Sequence, residues 1–257
     1  MTPGAERRPP GAPAKPPIRR LARRLLTASA ALTGTVTSVV TRERAAALTF
    51  DDGPDPEVTP RLCELLEAHG ARGTFFMVGR SAARWPEVMA RVAAGGHAIG
   101  NHSWDHPSFG LVRGRFRRAQ IRWCREALGE HDAGLFRPPY GHQSLVSQLE
   151  TRMLGYRTVA WNVMAEDWLD APPERLVERV EAGLAPGAIV LFHDRLWTAI
   201  EERHRDRGPT LAAVERLLER HAGSWRFVTV PDLLALGRPR REHWYKRADL
   251  DWLRRAS

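Results

Sequence analysis

The segment Leu48-Thr49-Phe50-Asp51-Asp52-Gly53-Pro54 carries an apolar stretch directly into two carboxylates and a turn. Residues 45–50 have the composition of a short buried strand, and Gly53-Pro54 ends it, so both aspartates lie at its carboxyl end. Successive side chains of an extended backbone point in opposite directions, so Asp51 and Asp52 can serve different neighbours. An isolated Asp-Asp-Gly-Pro sequence is more often a simple turn. The functional interpretation therefore depends on the partners that the rest of the chain supplies.

Downstream of this segment, helix and strand patterns alternate. Ile121, Cys124 and Leu128 recur at helical spacing, whereas residues 188–192 form an uninterrupted apolar run. Such alternation predicts the α/β class with a parallel sheet, closed or nearly closed into a barrel. The predicted strands are residues 45–50, 74–78, 97–100, 135–136, 157–161, 188–192 and 226–230.

The composition favours one domain. The chain has 257 residues, of which 43% are hydrophobic, and a formal charge of +9, which suits a single domain of barrel size. Residues 1–24 contain seven Lys or Arg and one acid, and residues 238–257 contain seven and three, so the remainder has 25 basic and 26 acidic residues. The positive charge therefore belongs to two tails, and no motif for reading nucleic acid accompanies it. Cys63 and Cys124 fit reduced core thiols better than a disulfide.

The amino-terminal region has two interpretations. Residues 1–18 lack periodicity and are rich in Pro, Gly and Ala, which indicates disorder. Residues 19–24 are basic and precede an uncharged run, the pattern of a signal sequence or membrane anchor, although the run is short for a spanning helix. The alternative is a surface helix followed by a strand at residues 35–40 that forms a hairpin with residues 45–50. The predicted divisions are a tail or anchor at 1–32, a catalytic domain at 33–237 and a basic, Trp-containing tail at 238–257, and localisation stays open between cell envelope and cytoplasm.

Five groups of polar residues directly follow predicted strands. In a parallel barrel, the loops that leave the carboxyl ends of the strands meet at one rim, where such folds carry their chemistry. We therefore expect these groups to converge. They are Asp51 and Asp52, His102 and His106, residues 137–141, Asp167 and Trp168, and His193 and Asp194.

His102 and His106 are the principal candidates for metal ligands. They are four residues apart, so one helical turn, ended by Pro107, would place both imidazoles on one side. Two histidines and a carboxylate such as Asp52 form a three-ligand set that leaves a coordination position for water, as in a catalytic zinc site. A histidine pair alone is equally consistent with capping or hydrogen-bonding roles.

Five ordered motifs carry a resemblance to a known family. Residues 49–54, 102–106, 137–141, 167–168 and 191–193 resemble the motifs of the polysaccharide deacetylase family, the NodB-homology domain of carbohydrate esterase family 4. The resemblance extends over residues 39–236. It implies a distorted (β/α)7 barrel of parallel strands and a metal-dependent removal of acetyl groups, usually from N-acetylglucosamine residues.

The resemblance also implies roles for individual residues. Asp51 corresponds to the catalytic base, and Asp52, His102 and His106 correspond to the metal ligands. The remaining roles go to Arg137, which orients the base, Tyr140, whose backbone N–H binds the oxyanion, Asp167, which pairs with a histidine, and His193, which is the general acid. Trp168 and Leu191 would line an apolar slot for the acetyl methyl group.

One position departs from the family pattern. The fourth motif usually has a further Asp three residues before Asp167, and this chain has Met164 there. Asp167 and Trp168 are retained, so the catalytic assignment is kept, whereas specificity or rate can differ.

The sequence thus predicts a metal-dependent hydrolase, with Zn²⁺ as the expected cofactor, that removes N-acetyl groups from chitooligosaccharide, peptidoglycan or a smaller amino sugar. The alternatives are an O-acetyl esterase, because the same groups cleave esters, and a non-catalytic carbohydrate-binding relative, which has no need of both Asp51 and His193. The basic tails suit an anionic membrane or envelope surface. Neither tail carries a catalytic candidate, so residues 33–237 are expected to act on a small soluble substrate.

Overall fold

The computed structural model describes Ala30 and residues 33–246. The signal or anchor predicted before residue 30 and the last part of the carboxyl-terminal tail, residues 247–257, lie outside the described residues. The strands are β1 (Thr35–Val40), β2 (Ala45–Asp51), β3 (Thr74–Met77), β4 (Ala98–Asn101), β5 (Asp132–Phe136), β6 (Arg157–Thr158), β7 (Val163–Met164), β8 (Ile189–His193), β9 (Arg226–Phe227) and β10 (Arg238–Glu242). The α-helices are α1 (Val58–Ala68), α2 (Gly79–Arg84), α3 (Pro86–Ala94), α4 (Gly114–Leu128), α5 (Leu145–Met153), α6 (Pro173–Gly183), α7 (Gly208–Arg220) and α8 (Val230–Ala235).

The main sheet is parallel throughout. Its spatial order is β6-β5-β4-β3-β2-β8-β7, and β9 pairs with the start of β2. Within the described residues the two outer strands, β6 and β7, do not pair with each other, so the sheet curls into a half-barrel. The predicted α/β class with a parallel, barrel-like sheet is confirmed. Each of the predicted strands overlaps an observed one, and the predicted strand at residues 157–161 ends early and is followed by the separate strand β7.

Strand β2 lies in the interior of this sheet, with a strand on each side. All of its residues are buried, and it pairs along its edges with β3 and β8. In register, Asp51 lies beside Phe76 of β3 and His193 of β8. The two adjacent aspartates therefore stand on the carboxyl rim, between the ends of β3 and β8.

The predicted hairpin between β1 and β2 is wrong. β1 pairs antiparallel with β10 at the other end of the chain, and it touches the main sheet through single bridges from Val36 to Val159 and from Ser38 to Ala188. The physical reason is that β3 and β8 already use the hydrogen-bonding groups on both edges of β2, so β1 must satisfy its own groups elsewhere. The first residues of the predicted carboxyl-terminal tail thereby form part of the folded structure.

Two apolar layers pack against the sheet, one on each of its faces. Between the sheet and the helices, α1 buries Leu62 and Leu66, and α7 buries Leu211 and Val214. Cys63 belongs to this layer, and it and Cys124 are free and buried thiols, as predicted.

The second layer fills the inside of the half-barrel. It contains Phe76, Leu135, Trp161 and Leu191, so the barrel is a packed core with its chemistry restricted to the rim. No helix among the described residues combines the length and apolar character needed to cross a bilayer.

We predict that Gly187 is required for the junction between β1 and the main sheet. Its backbone is left-handed (φ 82°), and a Cβ there would lie 1.7 Å from the carbonyl oxygen of Val39. Gly223 is also left-handed (φ 70°), but a Cβ at that position would have no atom within 4 Å. In urea unfolding, Gly223→Ala should cost about 1–2 kcal/mol for the backbone conformation alone, and Gly187→Ala should cost clearly more. Equal losses would show that the junction tolerates a side chain.

Candidate active site

A cavity of about 340 Å³ opens at the carboxyl rim of the half-barrel. Most of the residues predicted to be functional line it directly, and the others stand immediately behind its wall. The lining includes Asp51, Asp52, His102, His106, Tyr140, Trp161, Met164, Glu166, Trp168, Leu191, His193 and Lys246. The convergence follows from the parallel sheet, because β2, β4, β5 and β8 all end at this rim.

Asp51 and Asp52 diverge at the end of β2. Asp52 takes a left-handed backbone conformation (φ 78°), which turns it away from the direction of the strand. Its Oδ1 atom lies 3.0 Å from Nε2 of His106 and 3.3 Å from Nε2 of His102. Its Oδ2 atom accepts a hydrogen bond from the backbone N–H of Trp197 at 2.8 Å, which fixes the carboxylate toward the histidines.

His102 and His106 lie on a loop and not on the predicted helical turn. Ser103 and His106 are both left-handed (φ 69° and 57°). The loop is held by hydrogen bonds from the Ser103 N–H to the Asn101 side chain at 2.9 Å and from the His106 N–H to the Ser103 hydroxyl at 3.1 Å. The imidazole centroids are 4.9 Å apart. Both rings therefore lie on one side, as predicted, but left-handed loop residues place them there and not a helical turn.

The three side chains fit a divalent cation. Their candidate ligand atoms all lie within 4.8 Å of one another. Nδ1 of His102 lies 2.8 Å from the carbonyl oxygen of Arg137, which can only accept, so Nδ1 carries the proton and Nε2 presents a lone pair. Oδ1 of Asp52 is buried and has no hydrogen bond of good geometry within the described residues, as expected for an atom positioned for a metal.

The charges of this set also suit a metal. Burial lowers the pKa of His106 despite the opposing charge of Asp52, which favours the neutral imidazole that binds metals. Burial alone would raise the pKa of Asp52, but the two imidazoles that face it, His106 above all, hold it well below its usual value. The site therefore offers one carboxylate and two imidazole nitrogens.

Arg137 stands behind the cavity wall and holds Asp51. Its side chain is fully buried, and Nη1 donates to Oδ1 of Asp51 and to the hydroxyl of Thr49, both at 2.7 Å. Nη2 donates to the carbonyl oxygen of Ala160 at 3.1 Å. The guanidinium carbon lies 4.0 Å from the ring centroid of Phe76. One oxygen of Asp51 is thus fixed by a charge-assisted bond.

His193 is paired with Asp167. Nδ1 of His193 lies 2.8 Å from Oδ1 of Asp167, and the backbone N–H of His193 donates to Oδ2 at 2.9 Å. Burial by itself would lower the pKa of His193, but the charge and hydrogen bond of Asp167 raise it to about 9. His193 is therefore protonated at neutral pH, with Nδ1 bound to Asp167 and Nε2 available as a proton donor.

Tyr140 and the apolar residues form the remaining wall. Tyr140 is left-handed (φ 58°), and its ring lies 4.5 Å from that of His106. Burial raises the pKa of its hydroxyl to about 12, so this group stays protonated. The edge of Trp168 meets His193 with 5.5 Å between ring centroids, and Leu191 is buried beside it. Met164, the departure from the motif, lines the cavity with 40% of its surface exposed.

The residues that support Asp167 and Asp194 have no signal in the sequence. Arg207 donates to the backbone carbonyl of Asp167 at 2.9 Å, and the hydroxyl of Thr210 donates to Oδ2 of Asp167 at 3.1 Å. Asp194 is buried, accepts from Thr59 at 2.5 Å, and has a pKa raised to about 7 by its burial. The partners of Asp167 and Asp194 come from α1, α7 and the residue before α7, far from the motifs along the chain, so only the fold brings them to the site.

Comparison with known proteins gives several carbohydrate deacetylases as relatives. The family described as polysaccharide deacetylase matches residues 38–159. The chitooligosaccharide deacetylase of Azorhizobium caulinodans is 37% identical over 166 residues, which are 63% of this chain and 79% of that protein. A peptidoglycan-N-acetylglucosamine deacetylase of Bacillus cereus is 35% identical over 214 residues, which are 79% of this chain and 94% of that protein.

Solved structures agree with these relatives. A peptidoglycan N-acetylglucosamine deacetylase superposes with a TM-score of 0.70 at 28% identity and covers 79% of this chain and 94% of its own. A family 4 carbohydrate esterase from Streptomyces lividans superposes with a TM-score of 0.66 at 27% identity and covers 79% of this chain and all of its own. The fold and the relatives together define a class of hydrolases, the carbohydrate deacetylases. The chain belongs to the polysaccharide deacetylase family, as its five motifs predicted.

We predict that Arg137 is essential for stability as well as for placing Asp51. Arg137→Met removes the partner of a buried carboxylate, which typically costs about 3–5 kcal/mol of unfolding free energy. The matched control is Arg175→Met, because Arg175 pairs with Glu178 at 3.0 Å but both side chains are more than 60% exposed. That change should cost less than about 1 kcal/mol. Chemical unfolding of both variants would test the difference, and similar losses would mean that the buried pair contributes nothing special.

Proposed function

We propose that this chain is a metal-dependent hydrolase that removes N-acetyl groups from a carbohydrate containing N-acetylglucosamine and releases acetate. One observation carries the proposal. A carboxylate held by an arginine, Asp51, and an imidazole held by a carboxylate, His193, face one cavity from adjacent positions of paired strands. The Asp52, His102 and His106 set lies in the same cavity. A general base, a general acid and a metal site are the groups that amide hydrolysis needs.

The metal would be held by Oδ1 of Asp52 and the Nε2 atoms of His102 and His106. One carboxylate oxygen and two imidazole nitrogens suit Zn²⁺, with expected bond lengths of about 2.0–2.2 Å. When bound, such a cation supplies polarisation of the acetyl carbonyl and a lower pKa for the attacking water. These contributions are the reason that we propose zinc as the cofactor.

Asp51 would act as the base. Arg137 holds its Oδ1, and its Oδ2 lies 3.7 Å from Nε2 of His102, on the side of the metal site. That second oxygen would accept a proton from water as the water oxygen bonds to the acetyl carbon. The backbone N–H of Tyr140 would donate to the oxygen that becomes negatively charged, which is the usual role of an oxyanion hole.

His193 would act as the acid. An amine leaves poorly as an anion, so the carbon–nitrogen bond must break as its nitrogen takes a proton. The protonated Nε2 of His193 supplies that proton, and Asp167 keeps the ring charged and oriented. Acetic acid, which keeps the second proton of the water and ionises to acetate in solution, leaves with the free amine, and transfer of the proton from Asp51 to His193 restores both groups. The walls formed by Trp168 and Leu191 would accept the acetyl methyl group.

The proposal can be tested as a whole by measuring acetate release. The panel should include N-acetylglucosamine oligomers, peptidoglycan and O-acetylated glycans, each with and without a chelator. We expect acetate release from the N-acetylated substrates. A chelator should abolish this release, and Zn²⁺ should restore it. Release from esters alone would instead support an O-acetyl esterase, and no release with metal bound would leave a non-catalytic carbohydrate-binding relative.

Substitutions of the two adjacent aspartates should have different effects on turnover and on metal binding. Asp51→Asn should keep its bound metal and lose about 10²–10⁴-fold in turnover, because it removes general-base help only. Asp52→Asn should weaken metal binding itself, since it removes an anionic ligand. Metal content by elemental analysis and turnover at saturating metal would be measured for both. Identical metal content in the two variants would contradict the assignment of Asp52.

The pH profile should depend on Asp167. The acid His193 is active when protonated, so the rate should fall as pH rises through its pKa, which Asp167 raises to about 9. Asp167→Asn removes the negative charge that raises the pKa of His193, whereas the burial that lowers this pKa remains. The alkaline limb of the kcat/KM profile should therefore move to lower pH. Thr210→Val is the control, because it removes a hydrogen bond to Asp167 and leaves its charge. An unmoved limb in Asp167→Asn would exclude His193 as the titrating acid.

A further inference from the structure

A single lysine lies on the wall of the proposed active site. Lys246 lines the same cavity as Asp51, Asp52 and His193, although it belongs to the segment that follows β10. Lysine occurs at only two positions in the whole chain, Lys15 and Lys246, and all other basic side chains apart from histidine are arginines. The catalytic roles proposed above use no cation at this place, so Lys246 requires its own explanation.

Residues 243–246, which we call the closing segment, are firmly attached to the active-site loop. The backbone N–H of Gln143 donates to the carbonyl of Lys246 at 3.1 Å, and its side-chain amide donates to the carbonyl of Trp244 at 2.7 Å. The indole N–H of Trp244 donates to the carbonyl of Gly141 at 3.0 Å. The backbone of Lys246 therefore has a defined position beside the turn that contains Tyr140.

The side chain of Lys246 is also placed by packing. A Cβ on Gly141 would lie 3.5 Å from its Cδ atom, so its stem runs along the loop. Its ammonium nitrogen lies 5.5 Å from the ring centroids of both Trp161 and Trp244. The two indoles themselves pack edge to face at 5.2 Å. The residue is exposed to solvent, and the two aromatic rings attract its charge weakly.

No carboxylate of the described residues comes within 4.0 Å of this ammonium group. The other acidic groups of the cavity are engaged, since Asp51 pairs with Arg137, Asp52 faces the two histidines, and Glu166 lies 3.3 Å from Arg179. Partial burial lowers the pKa of Lys246, with no charged neighbour contributing. A cation on the wall of a binding cavity that has no counter-charge among the residues up to 246 is suited to an anionic group of a ligand.

We propose that Lys246 binds a carboxylate of the substrate and selects sugar chains that carry one next to the N-acetylated sugar undergoing reaction. This inference rests on the proposed deacetylase function. It separates the two substrate classes of the relatives, because chitooligosaccharide is uncharged whereas each muramic acid of peptidoglycan carries either a free lactyl carboxylate or, where a peptide is joined to that carboxyl group, the carboxylates of the peptide. Lys246 thus favours peptidoglycan.

The closing segment also changes what we expect of a shortened chain. A chain that ends at Gly237 loses β10, Trp244 and Lys246 together, so it should lose activity through the active-site loop as well as through the missing charge. Such a truncation cannot isolate the role of Lys246. Single substitutions are required.

The test compares kcat/KM for two chains of equal length, an N-acetylglucosamine oligomer and an alternating N-acetylglucosamine and N-acetylmuramic acid oligomer, the latter with and without peptide. The ratio of interest is kcat/KM for the carboxylate-bearing oligomer divided by kcat/KM for the neutral oligomer. Lys246→Met should lower this ratio about fivefold, mainly through KM, as expected for loss of a partly exposed ion pair. Lys246→Arg should retain most of the ratio. Arg240→Met, which removes an exposed charge from β10 paired with Glu242, should leave it unchanged.

Two results would overturn the proposal. One is an unchanged ratio in Lys246→Met, and the other is an equal loss on both substrates, which would give Lys246 a structural role at the loop. The arms with and without peptide identify which carboxylate is bound, since a preference that requires the peptide excludes the lactyl group.

A binding measurement separates this proposal from the deacetylase function. In the Asp51→Asn protein, which should leave the substrate intact, an amine-reactive label is quantified at Lys246 by peptide mapping, and Lys15 in the same digest serves as the internal control. The muramic acid oligomer should protect Lys246 several-fold more than the neutral oligomer. Equal labelling with both oligomers would contradict the role of Lys246, whereas failure of the wild-type protein to release acetate from either would contradict the proposed function alone.

Discussion

The buried pair of Arg137 and Asp51 is the constraint on which the rest of the site depends. A guanidinium inside the half-barrel is stable only if its donors are used, and Asp51, Thr49 and the carbonyl of Ala160 use them. The same residue acts through its backbone, because its carbonyl oxygen fixes the proton of His102 on Nδ1. One residue at the end of β5 therefore orients the proposed base with its side chain and a proposed metal ligand with its main chain.

The site holds two ion pairs of opposite arrangement close together, a carboxylate supported by a guanidinium and an imidazole supported by a carboxylate. Arg137 pairs with Asp51 and directs it, and Asp167 keeps His193 protonated. Asp51 and His193 lie at paired positions of β2 and β8, so the proposed base and the proposed acid face the same cavity. Burial makes each arrangement stronger than it would be in water. The fold contributes by holding both pairs on adjacent, hydrogen-bonded strands.

The sequence predicted the parallel α/β class and the convergence of the motifs, because apolar runs that end in polar residues mark the carboxyl ends of strands. It did not predict the partner of β1, because edge availability on β2 is a property of the assembled sheet. It placed His102 and His106 on a helical turn, whereas Ser103 and His106 adopt left-handed conformations that spacing does not indicate. Thr49, Arg207 and Thr210 were missed because their roles depend on contacts across the fold. Lys246 was missed because its surroundings have the composition of a solvated basic tail.

The pairing of β1 with β10 also governs the order in which the protein can be completed. During synthesis β1 emerges first among the described strands, and its ladder partner emerges after all of the others. The contacts between them span almost the whole described chain, and contacts of such long sequence separation form slowly. The closing segment that supports the Tyr140 loop follows β10 directly, so a nascent chain acquires a finished cavity only after residue 246 has been synthesised. Incomplete chains would thus carry the motifs without the assembled site.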